Sequence, residues 1–128
     1  MSTSQPGDAI LAATETAFRS RLAADHDWFR DLAYQRQPSG ALEISMRSSD
    51  RRGDWWAFAI VLHPFANAVE ASASVLPPKS GRLSRPKRAE LLKVVWTAAP
   101  TSTQVAQFIG TIGSRLIDMP EYQKVPKA

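Results

Sequence analysis

The 128-residue chain contains no cysteine. A disulfide, a thiolate nucleophile and a cysteine-ligated zinc or iron–sulfur site are therefore excluded. No apolar run comes near the roughly 20 residues that a membrane-spanning helix needs, so we predict no membrane insertion. The polar start of the chain also lacks the charged and apolar regions of a signal peptide, and we expect a cytoplasmic protein.

Histidine is scarce as well, with only His26 and His63 in the sequence. A histidine base or metal ligand would have to be one of these two. Asp25 and Asp27 flank His26, but consecutive side chains project from different sides of a helix. His63 ends an apolar run, and Glu70 is the only carboxylate that we would pair with it. The sequence therefore predicts no enzyme, metal site or cofactor, and a small-molecule site or enzyme near His63 is kept as a third alternative.

Hydrophobic residues make up 44% of the chain and charged residues 22%, which is ordinary for a globular protein. The length suits one domain with one core. We assign residues 8–119 to this domain, residues 1–7 to a disordered N-terminal tail and residues 120–128 to a polar C-terminal tail.

The most informative stretch is an apolar run over residues 55–62, which is too short for a core helix and is bounded by turn-forming residues. We interpret it as the central strand of a sheet. Side chains alternate along a strand, so the run has two faces. One face carries Trp56, Phe58, Ile60 and Leu62, and the other carries Trp55, Ala57, Ala59 and Val61. Because both faces are apolar, helices must cover both or a second subunit must cover one.

Two shorter segments flank this run and show the period of two that is typical of half-buried strands. Residues 42–47 form the first segment and residues 69–75 the second. The link 48–54 is rich in turn-forming residues, which favours an antiparallel hairpin with the central strand. The sequence therefore predicts a three-stranded antiparallel meander in which residues 42–47 form an edge strand.

Three helices are predicted around this meander. Apolar residues spaced by three, four and seven between Leu11 and Leu32 indicate a long N-terminal helix that begins at Asp8 and ends before Pro38. A second helix is expected over residues 86–98, and a third follows it. The predicted fold class is therefore α+β, a sandwich with a long N-terminal helix, a three-stranded antiparallel meander and two C-terminal helices packed on the sheet.

The last helix has the clearest local signal. Thr101 and Gln104 match a capping box, in which each side chain accepts a hydrogen bond from the backbone N–H of the other residue. One apolar stripe follows, formed by Val105, Phe108, Ile109, Ile112 and Leu116. A second, small-residue face contains Ala106, Gly110, Gly113 and Ser114. Because glycine weakens a helix, these small residues predict the close approach of another helix.

A basic segment over residues 79–93 carries six cationic side chains and one carboxylate, in a chain with a net charge of +4. The candidate nucleic-acid-binding residues are Lys79, Arg82, Arg85, Lys87 and Arg88. At the N-terminus of a helix such cations suit a phosphate. With its helix, three strands and basic helix, the chain resembles the double-stranded RNA-binding domain over about residues 9–99, which implies phosphate contacts by the last three of these residues. A solvated basic loop explains the same charges without a function.

Four tryptophans are many for this length, and the adjacent pair on the central strand cannot share a face. We therefore interpret Trp55, with Ala57 and Ala59, as part of a surface that meets a partner. The leading hypothesis is a non-enzymatic binding module, a protein–protein interaction or adaptor protein that we expect to form a homodimer. Nucleic-acid binding through the basic segment is the alternative.

Overall fold

The computed structural model describes residues 6–24, 29–49, 53–77 and 88–119. In chain order these residues form a helix, five strands and a second helix. The elements are α1 (Pro6–Ala24), β1 (Arg30–Arg36), β2 (Leu42–Ser49), β3 (Trp55–Pro64), β4 (Val69–Leu76), β5 (Ala89–Trp96) and α2 (Ser102–Ile117). Neither of the two described helices has the length and apolar character that a membrane crossing requires.

The five strands form one antiparallel sheet in the order β1-β2-β3-β4-β5. β3 lies at its centre, which confirms that the apolar run is the central strand. The predicted strands on either side are also confirmed, as β2 and β4. Side chains of β3 alternate as expected, since Trp56 is fully buried whereas 40% of the Trp55 surface is exposed.

Both helices pack on the face of the sheet that carries Trp56. The buried side chains of α1 are spaced by three or four residues, which places them on one side of the helix. Phe18 of α1 connects the layers, because its ring centroid lies 5.6 Å from that of Phe108 in α2 and 6.2 Å from that of Trp96 in β5. The core therefore lies between the two helices and a single face of the sheet.

The prediction of one long N-terminal helix is wrong, because residues 30–36 form β1. The register shifts between Arg30 and Ala33, and Asp31 has a positive φ of 59°, so side chains in this strand do not alternate regularly. The three-residue spacing of Phe29 and Leu32 fits a helix instead. Since β1 pairs with β2, residues 42–47 are not an edge strand.

The predicted second helix is also wrong, because its residues 89–96 form β5. The register between β4 and β5 shifts after Ala73, and the neighbouring Leu91 and Leu92 are both at least half-buried. Leu91 and Leu92 lie four and three residues before Val95, which is the spacing of an apolar stripe along a helix. The fold is α+β with one helix before and one after a five-stranded sheet, so the element order of a double-stranded RNA-binding domain does not occur in the described residues.

The last helix agrees with its local signal. The N–H of Gln104 donates to Thr101 Oγ1 at 3.1 Å, and the N–H of Thr101 donates to Gln104 Oε1 at 2.8 Å, which confirms the capping box. The five residues of the predicted stripe are all buried. By contrast, a Cβ atom added at Gly110 or Gly113 would meet no described atom within 4 Å apart from its own stretch of helix. The prediction that another helix approaches these two glycines closely is therefore wrong.

Candidate functional site

The helix-free face is the surface of the sheet opposite α1 and α2, and no other described helix or strand packs on it. It contains all three residues that the sequence assigns to a partner-binding surface. Along β3 these are the exposed Trp55, the half-buried Ala57 and the buried Ala59. The structure thus brings the three residues together on one face, with an exposed indole at one end.

The middle of the helix-free face consists of small side chains. Ala33 pairs with Ser45, Ser45 with Ala59, and Ala59 with Ser74 across four neighbouring strands. None of these side chains extends beyond its Oγ or Cβ atom, so no long side chain protrudes from the centre of the face. A second flat surface can therefore approach it at the spacing of packed sheets, about 10 Å.

Two arginines of the neighbouring strands β1 and β2 lie beside Trp55, at the end of the central strand on the helix-free face. The guanidinium carbons of Arg47 and Arg30 lie 5.5 and 5.7 Å from the centroid of the indole ring, within the range of a cation–π interaction. Arg47 is held there by Asp31, whose carboxylate accepts hydrogen bonds from Arg47 Nε at 2.7 Å and from one of its terminal amino groups. Tryptophan and arginine are enriched among the residues that dominate binding energy at protein interfaces.

The β4 and β5 side of the face carries balanced charges that pair within the chain. Lys93 Nζ lies 3.4 Å from the carboxylate of Glu90 and 3.5 Å from that of Glu70. Glu90 and, to a smaller extent, Glu70 raise the pKa of the Lys93 ammonium group by their negative charge. Arg88 donates to Ser74 Oγ at 2.9 Å. Two cations and two carboxylates thus form this edge of the face.

The basic segment is only partly described. Lys79, Arg82, Arg85 and Lys87 lie outside the described residues. Arg88 is exposed and directly precedes the strand β5. The sequence predicts instead that Arg88 lies in the first turn of a helix. Because a strand has only a small dipole, the expected attraction of a helix N-terminus for phosphate does not apply to Arg88.

His63 and Glu70 are partners in the register between β3 and β4, so the structure places this predicted pair side by side. Both have other contacts as well. The Glu70 carboxylate pairs with Lys93, and the His63 ring meets the ring of Phe65 nearly at a right angle, with centroids 4.9 Å apart. Among the described residues no group of three or more histidines and carboxylates could hold a metal ion.

The sequence did not predict a groove of about 360 Å³ beside the C-terminal half of α2. Phe58 of β3 and Ile109 of α2 contribute apolar walls, and Arg21 of α1 lies at its side. Gly110 and Gly113 line the same groove. The two glycines are the sequence signal that could have indicated it, since they leave open the space that larger side chains would fill. Nothing in the described residues identifies an occupant.

In comparisons with known proteins, no family model, curated protein or solved structure matches the chain. Functional inference therefore depends on the geometry of the helix-free face.

Proposed function

We propose that this chain is a non-enzymatic protein-binding module that docks a protein partner on the helix-free face of its sheet. One observation carries the proposal. Both described helices pack on the same side of a five-stranded sheet, and the opposite side presents Trp55 with 40% of its surface exposed. Contiguous apolar surface is typical of interaction sites, and Trp55 shares its face of β3 with Ala57 and Val61, which are only partly buried.

The residues around Trp55 favour a protein partner in particular. Arg30 and Arg47 contact the indole ring in the single chain, which reduces the side-chain entropy that is lost when a partner contacts it. Burial of the remaining exposed apolar area would contribute about 25 cal/mol for each Å². The paired charges around the face provide specificity more than affinity, because they are already satisfied by neighbours.

A photo-crosslinking amino acid placed at Ala57 tests the proposal in cells that express the chain at its natural level. Ala57 lies on the helix-free face beside the small-residue centre. We expect light to join the chain covalently to a protein, giving a discrete band of higher mass. The same probe at Ala12, an exposed position on α1, should not give this band.

Substitution of Trp55 tests whether the crosslinked band at Ala57 arises from a specific contact. In a chain with the probe at Ala57, the additional change Trp55→Ala should reduce the yield of the crosslinked band severalfold, because it removes the exposed anchor. If position 57 gives no band, or a band that also appears from position 12, the helix-free face is not a docking surface. An equal yield with and without Trp55 would contradict its role as the anchor.

Nucleic-acid binding through the basic segment is the second candidate function. Arg88 supports it, since this residue contacts Ser74 on the helix-free face and thereby connects the segment to the same surface. Labelled duplex RNA and DNA should then bind the chain more weakly as salt increases, because cations that neutralise phosphates release counterions. Arg88→Ala would weaken such binding for all sequences alike. Absence of binding at low salt would eliminate this candidate.

A further inference from the structure

We infer that the occupant of the helix-free face is a second copy of the same chain, stacked face to face about a two-fold axis. This inference rests on the proposed function and identifies its partner. The evidence is the order of charges along β2. On the helix-free face this strand presents an acidic, a small and a basic residue in turn: Glu43, Ser45 and Arg47.

The two-fold axis lies between the two stacked sheets, passes over Ser45 and runs at a right angle to the strands. It brings the two charges together. Glu43 and Arg47 lie two residues to either side of Ser45, so rotation places Glu43 of one copy opposite Arg47 of the other, and the reverse contact forms by symmetry. A surface that is complementary to itself in this way is what a closed two-fold interface requires. In the single chain Arg47 pairs with Asp31 and Glu43 accepts a hydrogen bond from Gln37, yet 52% of the Arg47 side chain stays accessible to a second copy.

The central strand agrees with the same axis. Ala59 is the register partner of Ser45, so the axis also passes over Ala59 and places the small-residue centres of both copies in contact. On β3, the exposed Trp55 then faces the end of the other copy's β3, where His63 lies on the same face. At the edge strand, Glu90 is the register partner of Ser74, so the axis places the Glu90 side chains of the two copies opposite each other. The Lys93 ammonium group 3.4 Å from each carboxylate offsets part of their repulsion.

The size of the face is sufficient for a dimer. Five strands spaced by about 4.8 Å and about eight residues long at 3.3 Å per residue cover roughly 24 by 26 Å. Two such surfaces that overlap completely bury about 1,200 Å² together, which reaches the lower end of stable protein interfaces. The small central side chains allow the sheets to approach closely along the row from Ala33 to Ser74.

Light scattering after size-exclusion chromatography measures the mass directly. We expect the wild-type chain to show twice its 14.1 kDa. In Glu43→Arg chains, two cations face each other at both symmetric contacts, and in Arg47→Glu chains two carboxylates do so. Each single variant should therefore dissociate at least about tenfold more readily, because like charges facing across an interface are strongly unfavourable.

Two rescues make the test specific. An equal mixture of the Glu43→Arg and Arg47→Glu variants should regain the dimer mass, because each chain then offers the charge that the other lacks. The double variant E43R/R47E should also form a dimer on its own. Ala12→Arg, on the exposed side of α1, serves as the matched control and should leave the dimer intact. Circular dichroism checks that each variant is folded, and Ser45→Arg provides a second disruptive change if a charge variant is not.

The outcomes separate this inference from the proposed function. A wild-type chain that stays at 14.1 kDa overturns the inference, while crosslinking from Ala57 to a different protein would still support the proposed function. A dimer that survives both single charge reversals uses another surface, which also overturns the inference. Disruption without rescue in the mixture or in the double variant would show that Glu43 and Arg47 do not meet across a two-fold axis.

Discussion

The backbone carbonyl oxygen of Phe65 occupies the place that a Cβ atom at Gly7 would need. The Gly7 N–H donates to the carbonyl oxygen of Ala66 at 3.1 Å, which fixes the start of α1 against the turn between β3 and β4. A side chain at this position would also come within 3.0 Å of the Ala68 carbonyl oxygen. Because both neighbours are backbone atoms, rotation of a side chain cannot relieve the overlap.

Gly7→Ala should therefore destabilise the protein, by about 2 kcal/mol or more. The helix propensity of alanine acts in the opposite direction, so the steric overlap must exceed it for this result. Urea unfolding followed by circular dichroism measures the change in the free energy of unfolding. Unchanged stability would mean that α1 does not begin against this turn.

The same substitution should have the opposite effect in α2. Gly110→Ala and Gly113→Ala place a methyl group where no described atom outside the surrounding stretch of the helix lies within 4 Å, so they introduce no overlap. Each should stabilise the helix by roughly 0.5–1 kcal/mol, because alanine loses less conformational freedom than glycine on folding. The midpoint of urea unfolding should shift upwards for both. A loss of stability would show that the groove beside α2 is occupied in the folded chain.

Local sequence signals specify α2 and β3, whereas β1 and β5 depend on strands that are distant in the sequence. Thr101 and Gln104 are three residues apart, and the strand pattern around Trp56 is continuous, so α2 and β3 were predicted correctly. β1 and β5 were missed because register shifts beside Ala33 and Ala73 interrupt the alternation of side chains. These irregularities are set by pairing with the neighbouring strand, and a single strand's sequence does not reveal them.

In the candidate site, too, local features were predicted from the sequence and features that depend on strand pairing were not. Alternation along β3 was enough to separate Trp55 from the core side of the sheet. The ion pair between Arg47 and Asp31 joins residues 16 positions apart, and it depends on β1 lying next to β2. Since the sequence predicted a helix at Asp31, it could not indicate that an arginine would be held against the indole ring.

The adjacent tryptophans of β3 should respond differently to truncation. Trp56 is completely buried, so Trp56→Ala should lower the free energy of unfolding by about 3–5 kcal/mol. Trp55→Ala removes an exposed ring and two cation–π contacts, which should cost about 1 kcal/mol. Urea unfolding compares the two variants under the same conditions. Similar losses for both would place Trp55 in the core and would remove the basis for a docking surface.

The ionisation of Tyr34 should reveal the packing of β1 against α1. Partial burial raises the pKa of the Tyr34 phenol above its usual 10.0, while the positive charge of Arg19 lowers it and the negative charge of Glu15 raises it. The Arg19 guanidinium carbon lies 3.8 Å from the centre of the Tyr34 ring. Because the folded state holds the phenol proton more tightly than the unfolded state, this stabilisation is present below pH 10.0 and is lost as the pH rises through the folded pKa.

Arg19→Gln should raise the pKa of Tyr34 further, and Glu15→Gln should lower it. Ultraviolet absorbance of the tyrosinate gives both values in a Tyr122→Phe background, because the chain has two tyrosines and only Tyr34 then titrates. Circular dichroism over the same pH range confirms that the chain is folded during the titration. If the two variants shift the pKa in the same direction, the shift reflects a change in burial and not the two charges. If neither variant shifts it, Tyr34 does not lie against this side of α1, and β1 is not packed beside that helix.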